Sequence, residues 1–98
     1  MNAIDGSAIP RLERGVRLRV DKVNNKHLLL RPEQGFELRG SALAIVRLCD
    51  GQRSVNDIVA ELSVAFREAP VTTIADDVRA LVHTLVARRL MVLAEAAS

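Results

Sequence analysis

Ninety-eight residues suffice for one small domain, and a hydrophobic content of 49% lets that domain bury a core rather than stay disordered. The net charge of +2 is unevenly spread: residues 1–40 carry eight basic and five acidic side chains, a net of +3, and residues 41–98 carry six and seven, a net of −1. Phe36 and Phe66 are the only aromatic residues, which argues against base stacking or an aromatic cation cage as the main activity.

The opening MNAIDGSAIP lacks a basic segment followed by an apolar one, so it does not read as a signal peptide. Residues 1–12 are aperiodic and are expected to form a mobile arm. In VRLRV, Val16, Leu18 and Val20 alternate with Arg17 and Arg19, the period-2 pattern of a half-buried strand. Asp21–Asn25 supplies a turn centred on Asn24-Asn25, and the apolar run Lys26–Leu30 has strand length. Arg31-Pro32-Glu33-Gln34-Gly35 is a second turn, with Pro32 fixing its φ and Gly35 tolerating a positive one. Phe36–Arg39 alternates again, with Phe36 and Leu38 inward.

After Gly40 the period changes. Ser41 is expected to cap a helix carrying Leu43, Ile45, Val46 and Leu48, with Gly51 after its last turn in the left-handed position. Ser54-Val55-Asn56-Asp57 fits a capping box, and Val55, Ile58, Val59, Leu62 and Phe66 form one stripe behind it. Pro70 stops that pattern, and Thr73 to Asp76 offers another capping-box start. Val78, Leu81, Val82, Leu85 and Val86 make the third stripe, with Arg88-Arg89 expected in the last turn. Leu90–Leu93 fits either the helix end or a short strand. The expected class is α+β: a three-stranded antiparallel sheet followed by three helices, winged helix-turn-helix-like. The bounds are an arm over 1–12, one domain over 13–93 and a tail over 94–98.

Little here points to catalysis. Cys49 has no local histidine to generate a thiolate, and at the end of an apolar helix it reads as a small hydrophobe. One cysteine and two scattered histidines, His27 and His83, do not make a metal site. Asp76 and Asp77 point about 100° apart on a helix and are better explained as first-turn acids. No phosphate loop or hydrolase motif is present, no cofactor is implied, and no apolar run approaches the roughly 20 residues of a membrane span. A reducing, cytoplasmic setting suits the lone cysteine.

A winged helix-turn-helix raises DNA binding as an alternative, yet the third helix sets Arg79, Arg88 and Arg89 against Asp76 and Asp77 without Asn, Gln or Lys. Peptide binding competes better. The strand Phe36–Arg39 is expected at a sheet edge able to accept an added strand. Part of the third helix's stripe could line a groove beside it, although periodicity alone favours a plain core role. The same open edge permits a homodimer.

RGVRL (Arg14–Leu18) with Asp21, LLRPE (Leu29–Glu33), LCDG (Leu48–Gly51), Val55 with Ile58-Val59, Asp77-Val78 with Leu81, and Leu85 with Arg88-Arg89-Leu90 form an ordered set. The set resembles the PqqD family of pyrroloquinoline quinone (PQQ) biosynthesis from Pro10 to about Leu93. The chain departs from the family pattern at Gln34, often arginine, and at Arg89, often glycine. The resemblance implies a non-catalytic peptide chaperone, a recognition element for ribosomally made peptides. It binds the precursor peptide PqqA and presents it to PqqE, a radical SAM enzyme that links a glutamate to a tyrosine side chain. A third reading makes the chain only a structural subunit of that enzyme. By resemblance, the peptide adds as a strand to Gly35, Phe36, Glu37, Leu38 and Arg39. It then lies against the Asp77–Arg88 face of the third helix, at Val78, Arg79, Leu81, Val82 and Leu85, with Arg39 and Arg79 available to acidic peptide residues.

Overall fold

Alternating side chains make a strand only where a neighbour takes up its hydrogen bonds, and this chain supplies neighbours both locally and from its far end. The computed structural model describes residues 4–94. Its elements run β1 (Ile9–Leu12), β2 (Arg17–Asp21), β3 (Lys26–Arg31), β4 (Gln34–Leu38), α1 (Ala42–Leu48), α2 (Val55–Ala65), α3 (Val71–Ala87) and β5 (Met91–Ala94). The class is α+β, with two antiparallel sheets, β2-β3-β4 and β1-β5, and three helices.

In the larger sheet Leu18 faces Leu29 and Leu29 faces Phe36, on the side turned to the helices. Val20, expected inward, is exposed, because it lies on the outer strand opposite His27 rather than an apolar residue. The β3–β4 turn is Pro32-Glu33 alone, and Glu33, not Gly35, takes the positive φ (65°), as in a type II turn led by proline. Gly35 therefore belongs to β4.

The expected mobile arm gives way at Ile9 to a strand. β1 pairs with β5 from Ile9 opposite Ala94 to Leu12 opposite Met91, which resolves the alternatives for Leu90–Leu93 in favour of a strand. The residues before β1 are engaged as well. The Val55 and Asn56 N–H groups, unsatisfied within α2 itself, donate to Ala8 O and Gly6 O at 2.9 Å each. Residues 1–3 of the arm and 95–98 of the tail lie outside the described residues.

The helix ends separate working caps from apparent ones. Ser54 has an extended ψ of 166°, and its capping box is complete: Asp57 N–H to Ser54 Oγ at 3.1 Å and Ser54 N–H to Asp57 Oδ2 at 3.0 Å. Ser41, by contrast, is already helical (ψ −7°) and its hydroxyl makes no capping bond. The Thr73 capping box is absent too, since α3 starts directly after Pro70, whose fixed φ suits a helix start. Asp76 and Asp77 accordingly fall beyond the first turn. Gly51 is left-handed (φ 80°), but its N–H donates to Pro10 O at 3.0 Å instead of closing α1, where Cys49 is the cap. Phe66 leaves the α2 stripe: as the C-cap (φ −116°) it falls out of helical phase and stands 47% exposed.

Arg88 and Arg89 also lie past the last turn of α3 rather than in it. Leu90 N–H reaches Leu85 O at 2.9 Å and Arg89 N–H reaches Val86 O at 3.0 Å, the paired bonds of a Schellman motif, with Leu85 and Leu90 both fully buried. Arg89 holds the left-handed position at φ 62°, which a residue with a Cβ occupies at a cost of about 1–2 kcal/mol.

These ends make two predictions. In urea titrations Arg89→Gly should raise the stability by roughly 1 kcal/mol, and Arg89→Val should lower it. Ser54→Ala should cost about 1 kcal/mol while Ser41→Ala stays near neutral; equal losses would contradict the assignment of caps.

Candidate peptide-binding site

A strand at the end of a sheet keeps one row of N–H and C=O groups free. β4 is such an edge. Its register pairs Arg31 with Gln34 across the two-residue turn, so the alternation of an antiparallel ladder turns the main-chain groups of Gly35 and Glu37 toward the open side.

Beside that edge lies an open groove of about 440 Å³, walled by Phe36, Arg39, Gly40, Ser41 and Ala42 on one side and by Asp77, Ala80, Leu81 and Thr84 of α3 on the other, with Ile45 between. Three elements position it. Gly40, with a φ of 57°, turns the chain from β4 into α1. The β3–β4 turn is tied to the end of α3 by Arg31 to Arg89 O at 2.5 Å and Gln34 Nε2 to Arg88 O at 3.2 Å. The Arg88 guanidinium sits over the Phe36 ring, 5.2 Å from its centroid. Gln34 thus has a structural contact of its own.

Of the residues expected at the site, Phe36, Arg39 and Leu81 meet in this groove, and Gly35 and Glu37 lie on the free edge. Leu38, Val78, Val82 and Leu85 do not: they are buried in the core and line no part of the groove, whereas Ile45, also buried at 1% exposure, forms its floor. Arg79 points elsewhere, donating from Nε to Ile4 O at 3.3 Å. Asp77, Ala80 and Thr84 belong to the expected Asp77–Arg88 face but were not singled out within it, because they sit one helical step from the apolar stripe. Ile45 was expected only as an apolar residue of the first helix, and nothing local in the sequence marks it as facing the groove.

The polar chemistry of the edge is concentrated on Glu37. Arg39 donates to its Oε1 at 3.0 Å and Lys26 Nζ lies 3.9 Å away. The Arg39 hydrogen bond, aided by the charges of Arg39 and Lys26, holds the Glu37 carboxyl below its ordinary range. Arg39 is therefore already paired, though well exposed. Such a pair contributes little to stability and exchanges readily for another carboxylate.

Cys49 stands apart from this site. It is buried, its thiol donates to Ile45 O at 3.2 Å, and burial, with a smaller contribution from Asp50, pushes its pKa up to about 12. Among the described residues no group of three metal-ligating side chains converges, and no helix is long and apolar enough to cross a membrane.

Residues 26–91 match the family described as coenzyme PQQ synthesis protein D (PqqD). The chain is 42% identical over 88 residues to a PqqA binding protein of Rhizobium meliloti, a match covering 90% of this chain and 89% of that one. It is 46% identical over 74 residues to the bifunctional coenzyme PQQ synthesis protein C/D of Methylorubrum extorquens, covering 76% of this chain but only 20% of that longer protein. Among solved structures, the solution NMR structure of the PqqD truncation of Methylobacterium extorquens PqqCD superposes with a TM-score of 0.77 at 40% identity, over 92% of this chain and 95% of that one. That protein is described as a functional, stand-alone recognition element for ribosomally synthesized and post-translationally modified peptides. The crystal structure of PqqD from Xanthomonas campestris gives a TM-score of 0.56 at 36% identity, over 89% and 96%.

For Cys49 the expected behaviour is specific. The folded thiol should resist a thiol reagent at pH 8 and react only on unfolding. The unfolded thiol titrates near 9 and the folded one near 12, so stability should fall as pH rises above 9, by up to about 1.4 kcal/mol per pH unit. Cys49→Ala should flatten that slope, and an unchanged slope would refute the assignment.

Proposed function

The chain belongs to the PqqD family, and on that premise we propose that it is a non-catalytic peptide chaperone of PQQ biosynthesis. It binds the precursor peptide PqqA in the groove between β4 and α3 and presents it to the radical SAM enzyme PqqE. The observation that carries the reading is the free edge of β4 lying directly beside an apolar groove. Main-chain bonds from Gly35 and Glu37 set the register of an added strand, while the partly exposed Phe36 and Leu81 receive its apolar side chains over a floor formed by Ile45. Arg39, exchanging Glu37 for a peptide carboxylate, adds a charge contact at the edge. The names of the relatives agree, since the Rhizobium protein is called a PqqA binding protein.

The scaffold is read as a winged helix-turn-helix put to peptide rather than duplex use. Two of its arginines are occupied, Arg79 on Ile4 O and Arg88 over Phe36, and α3 exposes Asp76 and Asp77, an arrangement poorly suited to a phosphate backbone. Ordering a flexible peptide costs free energy, so binding needs both the strand bonds and several side-chain anchors.

An amide-shift titration with PqqA tests the site: shifts are expected at Gly35–Leu38 and along Asp77–Thr84, and shifts avoiding both would refute it. Three variants sharpen the test. Glu37→Pro removes an outward N–H at an edge position where proline is tolerated, and should abolish binding, whereas Glu37→Ala should retain it. Leu81→Glu should weaken binding about tenfold or more by placing a charge in the apolar wall. Addition of PqqE to the loaded chaperone should give a ternary complex in gel filtration. Binding of PqqE with no binding of PqqA alone would favour a purely structural role.

A further inference from the structure

The groove beside β4 does not stop at Asp77. Ser41, Ile45 and Asp77 also wall a second, narrower cleft completed by Leu62, Phe66 and Ile74, with about 20 Å³ of open space. Three shared residues make the two a continuous trough along α3. The two aromatic residues of the chain stand in its opposite parts, Phe36 in the wide groove and Phe66 in the cleft. Phe66 is not needed to seal the core: it is half exposed, and Val64 and Val71 nearby in the chain are 66% and 58% exposed. Of the three, Phe66 lines the cleft itself, and an exposed aromatic ring continuous with the groove marks a contact surface rather than a solvated face.

Resting on the reading of the groove as a peptide site, we infer that the bound peptide runs on past the C-terminal end of β4 and seats a second, aliphatic side chain in the cleft formed by Leu62, Phe66 and Ile74. The size of the cleft selects the class of side chain. Its open space admits roughly one methyl-sized group, so the end of a leucine, isoleucine, valine or methionine fits where an aromatic ring does not. The spacing follows from the helix. From Thr84 to Ile74 α3 advances ten residues, about 15 Å at 1.5 Å each, which an extended peptide covers in about five residues. The second anchor therefore lies about five residues from the one seated near Thr84. Asp77, exposed between them, disfavours an acidic residue at the intervening step.

The test uses full-length protein, the PqqA peptide and methyl-labelled Leu and Ile. Binding should shift the Leu62 and Ile74 methyl signals of the unaltered protein. Phe66→Ala, verified as folded by its amide spectrum, should bind about tenfold more weakly and still show shifts at Gly35–Leu38 at saturation. Phe66→Leu, which keeps an apolar wall, serves if the alanine variant does not fold, and should lose less. Unmoved Leu62 and Ile74 methyls, or full-strength binding by Phe66→Ala, overturns the cleft alone, provided β4 and Leu81 respond. A peptide that binds nowhere removes groove and cleft together.

Discussion

Burial of one face of α3 is the constraint on which the rest of the architecture depends. Ile74, Val78, Val82 and Leu85 close a core shared with α1, α2, the inner face of the larger sheet and the chain around β5. Each fully buried aliphatic side chain contributes about 1.5–3 kcal/mol, so in a domain of this size the face has little freedom to move. The neighbouring positions Asp77, Ala80, Leu81 and Thr84 are then aimed in one direction, into the groove, and Arg79 in another, toward Ile4. The orientation of the candidate site is a by-product of core packing, and its small side chains at Ala80 and Thr84 leave the room that a ligand requires.

The same constraint explains what the sequence could and could not reveal. Local signals were legible. The alternation of Arg17, Leu18 and Arg19, the Ser54–Asp57 capping box and the buried positions Val55, Ile58 and Leu62 appear where local pattern put them, although Val20 leaves the alternation. Signals that need a distant partner were not. β1 has no alternating pattern and contains Pro10, and it becomes a strand only because Met91–Ala94 lies alongside. Thr73 and Ser41 look like caps, but capping depends on a backbone angle that residue type does not specify. At the site the sequence offered Phe36, Arg39 and Leu81, residues with a pattern or a charge. It could not separate them from Val78 and Val82, whose stripe is indistinguishable from a ligand face until the packing is known. The groove residues Ile45 and Ala80 come from different helices and meet only in three dimensions.

The charge asymmetry of the chain also acquires a place. Arg17 and Arg19 flank the inward-facing Leu18 of β2 and lie on the outer face of the sheet, opposite Leu30 and Leu28. The basic excess of the N-terminal part is therefore set largely outside the groove. There it can speed an encounter with an acidic partner without becoming part of the bound contact, an effect that added salt weakens.

The pairing of Ile9 with Ala94 gives the domain one doorway for both directions of the chain. A polypeptide that enters and leaves at adjacent points can be spliced to a neighbour at either end, or set into a loop of a larger protein, without stretching across the fold. The strand β4, proposed to bind peptide, belongs to the other sheet and is not drawn into the junction. The bifunctional relative from Methylorubrum, in which the matching segment is one fifth of the protein, is the form such portability takes when a recognition unit is carried as cargo by another member of its pathway.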